Sequence, residues 1–246
     1  TVFGSGAMTN SIAEIESNDV LFVIGSNTKE NHPILALRMI KAKRKGAKII
    51  IADPRRVPLV RFADIWIQHK PGTDVALLNG MMNVIIAENL INCDFIDSQT
   101  EGFDEQFRKN IAEFTPEAAS AITGVPKEQI IMAARMYANG KRAGIYYTMG
   151  ITQHSHGTDN VFSIANLALM TGNLGKECSG VNPLRGQNNV QGATDMGCSP
   201  NLYPGYQRVT VPQVRRRFEE LWDAKLPEHE GWTSPEMLDA AIDGRL

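Results

Sequence analysis

Apolar residues come in short unbroken runs, separated by stretches where they recur every third or fourth position. Asp19 precedes the run Val20, Leu21, Phe22, Val23 and Ile24, which stops at Gly25. Successive apolar positions rich in β-branched side chains predict a strand buried on both faces, because neighbouring side chains point to opposite sides of a sheet. A polar loop over 26–32 follows. Pro33 suits a first helical position, where its missing N–H costs nothing, and Ile34, Leu35, Leu37, Ile40 and Ala42 predict an apolar helical stripe. The basic residues Lys41, Lys43, Arg44 and Lys45 complement the helix dipole, and Gly46 closes the helix. Lys48, Ile49, Ile50, Ile51 and Ala52 predict a second strand, stopped by Asp53 and Pro54.

The same alternation continues. A strand is expected within 63–68, a helix from near Asp74 to about Asn89, and mostly helix over 90–142, with starts at Thr115-Pro116-Glu117 and Pro126. Residues 143–148 return to strand and 157–170 to helix. Strands alternating with helices predict an α/β fold: a Rossmann-like parallel sheet with helices on both faces. After Thr171 the texture changes. Residues 172–210 are Gly-rich with few apolar runs, which predicts a long irregular segment of the kind that usually carries function. A helix is expected over 215–222 and another in the last dozen residues. This divides the chain into a Rossmann-like domain, 1–180, and a site loop with the start of an adjoining domain, 181–246.

Composition narrows the function class. The 246 residues are 43% hydrophobic and 21% charged with a net charge of −2, which leaves no basic field for nucleic acid or an anionic membrane. No stretch approaches the roughly 20 apolar residues of a membrane helix. Cys93, Cys178 and Cys198 are too far apart for a C-x-x-C motif and make a poor disulfide framework. The chain starts at Thr1 rather than Met, so the lack of a signal peptide says little.

In open parallel sheets ligands gather at the carboxyl ends of strands. Polar loops leave three strand ends here, over 25–32, 53–56 and 149–159. Gly25 allows close backbone approach, Ser26 and Asn27 offer short hydrogen-bonding groups, and the helix at Pro33 aims its N–H groups into the same space. Asp53 stands where an acid can hold ribose hydroxyls. These residues fit a nucleotide pocket, and they equally fit a glycine that ends a strand and an Asp-Pro that starts a turn. The second candidate is Arg185, flanked by glycines and amides with almost no charged neighbours. Its planar fork suits a carboxylate, yet an arginine in a flexible surface loop would look the same. The histidines say less. His154 and His156 are read as facing solvent and the edge of a bound ligand, His32 as a hydrogen-bonding helix start, and His69 and His229 as patternless; Arg215, Arg216 and Arg217 are read as a solvated helix face.

Several segments taken together go further. Val23-Ile24-Gly25-Ser26-Asn27, Ala52-Asp53-Pro54-Arg55, Met149-Gly150-Ile151-Thr152-Gln153 and Asn182-Pro183-Leu184-Arg185-Gly186-Gln187-Asn188-Asn189 resemble formate dehydrogenase catalytic subunits of the molybdopterin family. So does Gly4-Ser5-Gly6-Ala7-Met8-Thr9-Asn10 near the start. The resemblance implies a bis-molybdopterin guanine dinucleotide cofactor with molybdenum or tungsten. It also implies a selenocysteine or cysteine metal ligand followed by histidine, lying before Gly4 and outside this chain, so no metal ligand is assigned within it. A 4Fe–4S domain is implied ahead of the chain and the second half of the pterin site beyond Leu246. Carried over by position, Gly25, Ser26, Asn27 and Glu30 meet a guanosine-phosphate arm, with Glu30 standing where an aspartate is implied. Ala52, Asp53, Pro54 and Arg55, with Gly72, Thr73 and Asp74, complete that pocket. Met149, Gly150 and Gln153 lie over the pterin, Arg185 clamps formate with Gln187 and Asn188 in support, and Gly186, Gln187 and Asn188 also count among the cofactor-binding residues.

The implied activity is oxidation of formate to carbon dioxide by the full-length protein, the isolated chain being inactive. Implied partners are formate and iron–sulfur or NAD-linked electron-transfer subunits, without nucleic acid or direct membrane insertion, in the cytoplasm or, as for some family members, the periplasm. Two rivals stand beside this reading. Another molybdopterin oxidoreductase shares the sheet, and a non-catalytic nucleotide-binding module shares the pocket. A nicotinamide-dependent Rossmann dehydrogenase needs a G-x-G-x-x-G fingerprint that the first strand lacks.

Overall fold

The structure is a computed structural model that describes Phe3 and residues 7–246. The Gly4-Ser5-Gly6 part of the resemblance lies outside the described residues. The chain divides into two compact units, Thr1–Gly186 and Gln187–Leu246.

The first unit opens with a 310 helix, Ile12–Ser17, ahead of β1, Val20–Ile24. Then come α1 (Thr28–Asn31), α2 (Pro33–Arg44), β2 (Lys48–Ala52), a second 310 helix (Pro58–Phe62) and β3 (Ile65–Ile67). Helices α3 (Asp74–Ala87), α4 (Cys93–Gln99), α5 (Glu105–Ala112), α6 (Pro116–Thr123) and α7 (Lys127–Ala138) precede β4 (Ala143–Tyr147). Helices α8 (Met149–Thr152) and α9 (Gly157–Met170) lead to β5 (Gly180–Pro183). The five strands pair in the order β3-β2-β1-β4-β5, all parallel.

Every residue of β1 is buried. Val20, Phe22 and Ile24 join one apolar cluster while Leu21 and Val23 join another, so the two-residue period of the strand feeds both faces. Ile50 and Ala52 of β2 follow the first set and Ile49 and Ile51 the second. The larger cluster is completed by α3, α7 and α9, the smaller by α2 and the two 310 helices. The fold is therefore α/β, a parallel sheet with helices on both faces.

Three expectations about local structure in the first unit need correction. Residues 28–31 form a short helix inside the stretch read as loop. The buried face of α2 is Ala36, Met39, Ile40 and Ala42, while Ile34 and Leu37 of the expected stripe are each 62% exposed. The stretch after Thr171 is not irregular throughout. Residues 180–183 pair with β4, Gly144↔Gly180 through Tyr147↔Pro183, because the open edge of β4 supplies the hydrogen bonds that their sequence does not advertise.

The opening segment holds β5 from its other side. Thr9 donates its N–H to the Val181 carbonyl at 3.2 Å, and its Oγ1 accepts the Val181 N–H at 3.0 Å. Behind it, the Glu14 carboxylate accepts from the N–H groups of Ser11 and Cys178 and from Asn10 Nδ2, at 2.7–2.8 Å. Those three donors, led by the Cys178 N–H, hold Glu14 well below the usual carboxylate range, at about 2.

The second unit contains α10 (Val190–Asp195), a two-stranded antiparallel pair of β6 (Leu202–Tyr203) and β7 (Gln207–Arg208), α11 (Pro212–Trp222) and α12 (Ser234–Ile242). Its apolar centre is small: Tyr203, Val209 and Phe218. Arg215 is not on a solvated face as expected; it is half-buried and ion-paired to Glu228 at 3.2 Å, while Arg216 and Arg217 are exposed.

Candidate functional site

The strand order reverses direction between β1 and β4, and the loops leaving their carboxyl ends part there. Gly25 follows β1 with φ +57°, a left-handed conformation that favours glycine. A Cβ on Gly25 would lie 2.8 Å from the Gly150 carbonyl carbon, and one on Gly150 would lie 2.4 Å from the Gly25 carbonyl oxygen. The close approach expected of Gly25 is thus made first of all with the backbone of α8. Thr148 Oγ1 donates to the Gly25 carbonyl at 2.6 Å and fastens the two strand ends together.

A cavity of about 390 Å³ opens beside this contact. It gathers Gly25, Asn27, Asp53, Pro54, Arg55, Asp74 and Gly150 from the sequence-derived set, together with Asn31, His69, Pro71, Thr148 and His154. Asp53 is buried, and its Oδ1 accepts the Arg55 N–H at 2.8 Å, which folds the Asp-Pro-Arg turn into the cavity wall. Trp66 Nε1 donates to the Asp53 carbonyl at 3.0 Å, and Gln68 Nε2 to the Pro54 carbonyl at 2.9 Å.

Other members of the set lie elsewhere. Ser26 is buried and spends its hydroxyl on Thr28 Oγ1 at 2.8 Å. Ala52 is in the core, where its carbonyl receives the Gly25 N–H at 3.0 Å, so it frames the cavity without lining it. Glu30 is exposed and accepts from Asn27 Nδ2. Gly72 is exposed with φ +78°, and the Thr73 hydroxyl turns back to the Lys70 carbonyl at 2.7 Å. Met149 and Gln153 are exposed on and just after α8, outside the cavity wall.

Arg185 leaves the carboxyl end of β5 and is exposed, as is Gly186. Its charge reaches Tyr147 at the end of β4: burial raises the Tyr147 hydroxyl's pKa, and Arg185 draws it back down. Gln187 and Asn188 belong to the second unit and are exposed.

His69 is the main omission of the sequence reading. It is 3% exposed, lines the cavity, and its Nε2 lies 2.9 Å from Asp74 Oδ1, itself 2% exposed. A signal existed: a histidine just past β3 sits at a strand carboxyl end, the position that recommended Asp53. His154 is half-buried rather than solvent-facing; its Nε2 donates to the Gly150 carbonyl at 2.9 Å, and its ring centroid is 5.4 Å from that of His156. His32 does not cap α2 with its side chain, because its Nε2 is taken by the Arg185 carbonyl at 2.6 Å.

Two cavity-lining residues carry buried polar atoms without a protein partner, Asn27 Oδ1 and His69 Nδ1. Buried polar atoms are normally hydrogen-bonded, so a wall with such groups beside Asp53 and Arg55 suits a polar, multiply hydrogen-bonding ligand. Among the described residues, no three of His, Cys, Asp and Glu come together as a metal-ligand set.

The family model for molybdopterin oxidoreductases matches residues 3–229. The chain belongs to the molybdopterin oxidoreductase family. Membership implies a molybdopterin cofactor with molybdenum or tungsten, and the polar cavity wall, with its unpartnered Asn27 Oδ1 and His69 Nδ1, fits a polar part of such a group. The chain is 56% identical over 237 residues to the F420-dependent formate dehydrogenase subunit alpha of Methanocaldococcus jannaschii, covering 96% of the chain and 35% of that protein. It is 50% identical over 244 residues to formate dehydrogenase H of Escherichia coli, covering 99% and 34% respectively. The chain thus spans about a third of the length of these curated relatives. Among solved structures, acetylene hydratase from Pelobacter acetylenicus matches with a TM-score of 0.60 and 27% identity over 65% of this chain and 24% of that one.

Proposed function

We propose that this chain is part of the catalytic subunit of a formate dehydrogenase that oxidises formate to carbon dioxide. The observation that carries the reading is Arg185: the strand pairing of β5 brings this residue to the carboxyl end of the sheet, within a sequence half or more identical to formate dehydrogenases. The acetylene hydratase likeness supports the shared fold and leaves the reaction to the site residues.

The cofactor in this reading is bis-molybdopterin guanine dinucleotide. Asn27, Asp53, Arg55 and Asp74 hold one nucleotide arm, with Gly25 and Gly150 shaping the wall and Met149 and Gln153 toward the pterin. The bound metal cofactor supplies the two-electron redox chemistry. Formate offers one C–H bond and one carboxylate, so recognition must grip its charge. Arg185 does so with a fixed, bidentate cation that burial cannot neutralise, holding the anion in one orientation. The net step removes two electrons and one proton from formate. An iron–sulfur cluster and electron-transfer subunits elsewhere in the complex receive the electrons in the cytoplasm. The relative from M. jannaschii favours F420 over NAD on the acceptor side.

Arg185→Lys in the full-length, cofactor-loaded enzyme keeps the charge and loses the fork. It should cost about 2–5 kcal/mol in formate kcat/KM. Unchanged steady-state formate turnover would reject the assignment, and the 246-residue chain alone should show no formate oxidation.

A further inference from the structure

His32 stands between α1 and α2, where a polar residue is expected to start the helix, yet it gives that helix no side-chain hydrogen bond. Its Nε2 lies 2.6 Å from the carbonyl oxygen of Arg185. A carbonyl oxygen only accepts, so Nε2 carries a proton and donates it. The other ring nitrogen, Nδ1, is buried without a protein partner, so the ring is committed through this one bond.

The bond joins the loop after β1 to the loop after β5, with β4 between those strands. It ties down the main chain one residue before the first unit ends at Gly186. The Leu184 N–H is bound to the Tyr147 carbonyl at 2.8 Å, the Arg185 carbonyl to His32, and residues 185–189 are all exposed. Burial therefore does not fix the Arg185 backbone. A long side chain carries its charge only as accurately as its backbone is held, and a site needs that accuracy within about half an ångström.

We propose that His32 is a positioning residue for Arg185, fixing its main chain so that the guanidinium meets a small carboxylate substrate from one direction. The inference rests on the reading of Arg185 as the formate-binding group.

The test uses full-length, cofactor-loaded enzyme with His32→Ala, His32→Gln and His32→Ser, reading hydrogen exchange of the segment around residues 183–186 alongside formate kinetics. His32→Ala should speed exchange there and lower formate kcat/KM, each by about 5- to 10-fold, the loss of one hydrogen bond. His32→Gln, whose amide nitrogen has nearly the reach of Nε2, should restore both. His32→Ser, a better helix start, should restore neither. Restoration by serine but not glutamine would overturn the proposal in favour of a helix-start role, and unchanged exchange in His32→Ala would overturn it outright. Full formate turnover in Arg185→Ala would instead overturn the reading of Arg185, and this proposal with it.

Discussion

Gly150→Ala places one methyl group between two strand ends. Gly150 is helical and not left-handed, so alanine suits its backbone and the cost is steric alone. The new Cβ would lie 2.4 Å from the Gly25 carbonyl oxygen and 2.8 Å from both its carbonyl carbon and its Cα. Favourable contact begins at about 3.5 Å, so α8 and the end of β1 must separate by roughly 1 Å. Gly25 cannot yield on its own, because its N–H is bound to the Ala52 carbonyl at 3.0 Å and its carbonyl to Thr148 Oγ1 at 2.6 Å. Overpacking of this kind costs about 1–3 kcal/mol, equivalent to about 5- to 150-fold more frequent local opening. The assay is hydrogen exchange at residues 25 and 148–151 in the full-length protein, with molybdopterin content of the purified enzyme measured in parallel. Gly175→Ala is the control. Gly175 has φ +71° but open space around its Cβ position, so it brings backbone strain without a clash and should leave the cleft amides unchanged. Wild-type exchange and full cofactor content in Gly150→Ala would refute the argument that this contact shapes the cavity.

Two further predictions come from polar groups. Glu14 has its pKa depressed to about 2, so its contribution is fully present above the ordinary carboxylate range near 4.5 and is lost as pH falls from there toward 2. Partial exposure discounts the contribution to on the order of 1 kcal/mol. Exchange at residues 178–182, corrected for its intrinsic pH dependence, should rise across that window in the native protein and stay flat in Glu14→Gln. His69→Leu leaves the buried Asp74 carboxylate without its ring donor and should destabilise the protein by about 1–3 kcal/mol, read as a lowered melting temperature. His69→Leu combined with Asp74→Ala should cost less than the two single changes summed, since both remove the same bond.

Strands with continuous apolar runs were legible to the residue: Val20–Ile24 and Lys48–Ala52 match their expected limits, and α9 matches 157–170. β5 was not, because Gly180-Val181-Asn182-Pro183 has one strong strand former and ends in proline. It is a strand because its neighbour is one, which no local pattern encodes. The α2 stripe held at Ile40 and Ala42 and failed at its first turns for a related reason. Ile34 and Leu37 are the more apolar residues, but Ala36 and Met39 are those the sheet can accommodate. At the site, the rule that ligands meet strand carboxyl ends found Gly25, Asn27, Asp53 and Arg55, all of which line the cavity. His69 sits at such an end too, but its partner Asp74 belongs to the next helix, and no local pattern joins the two. Nor could spacing pair His32 with a carbonyl 153 positions away.

The single residue Thr9, bonding β5 through its backbone N–H and its side-chain oxygen, has a bearing on how this protein can be cut. An outer strand with unsatisfied amides invites another molecule to dock alongside it, and here that invitation is answered from within the same polypeptide. A truncated version beginning after Asn10 would uncover that flank and should self-associate in solution, whereas trimming between the two compact units would leave it sheltered.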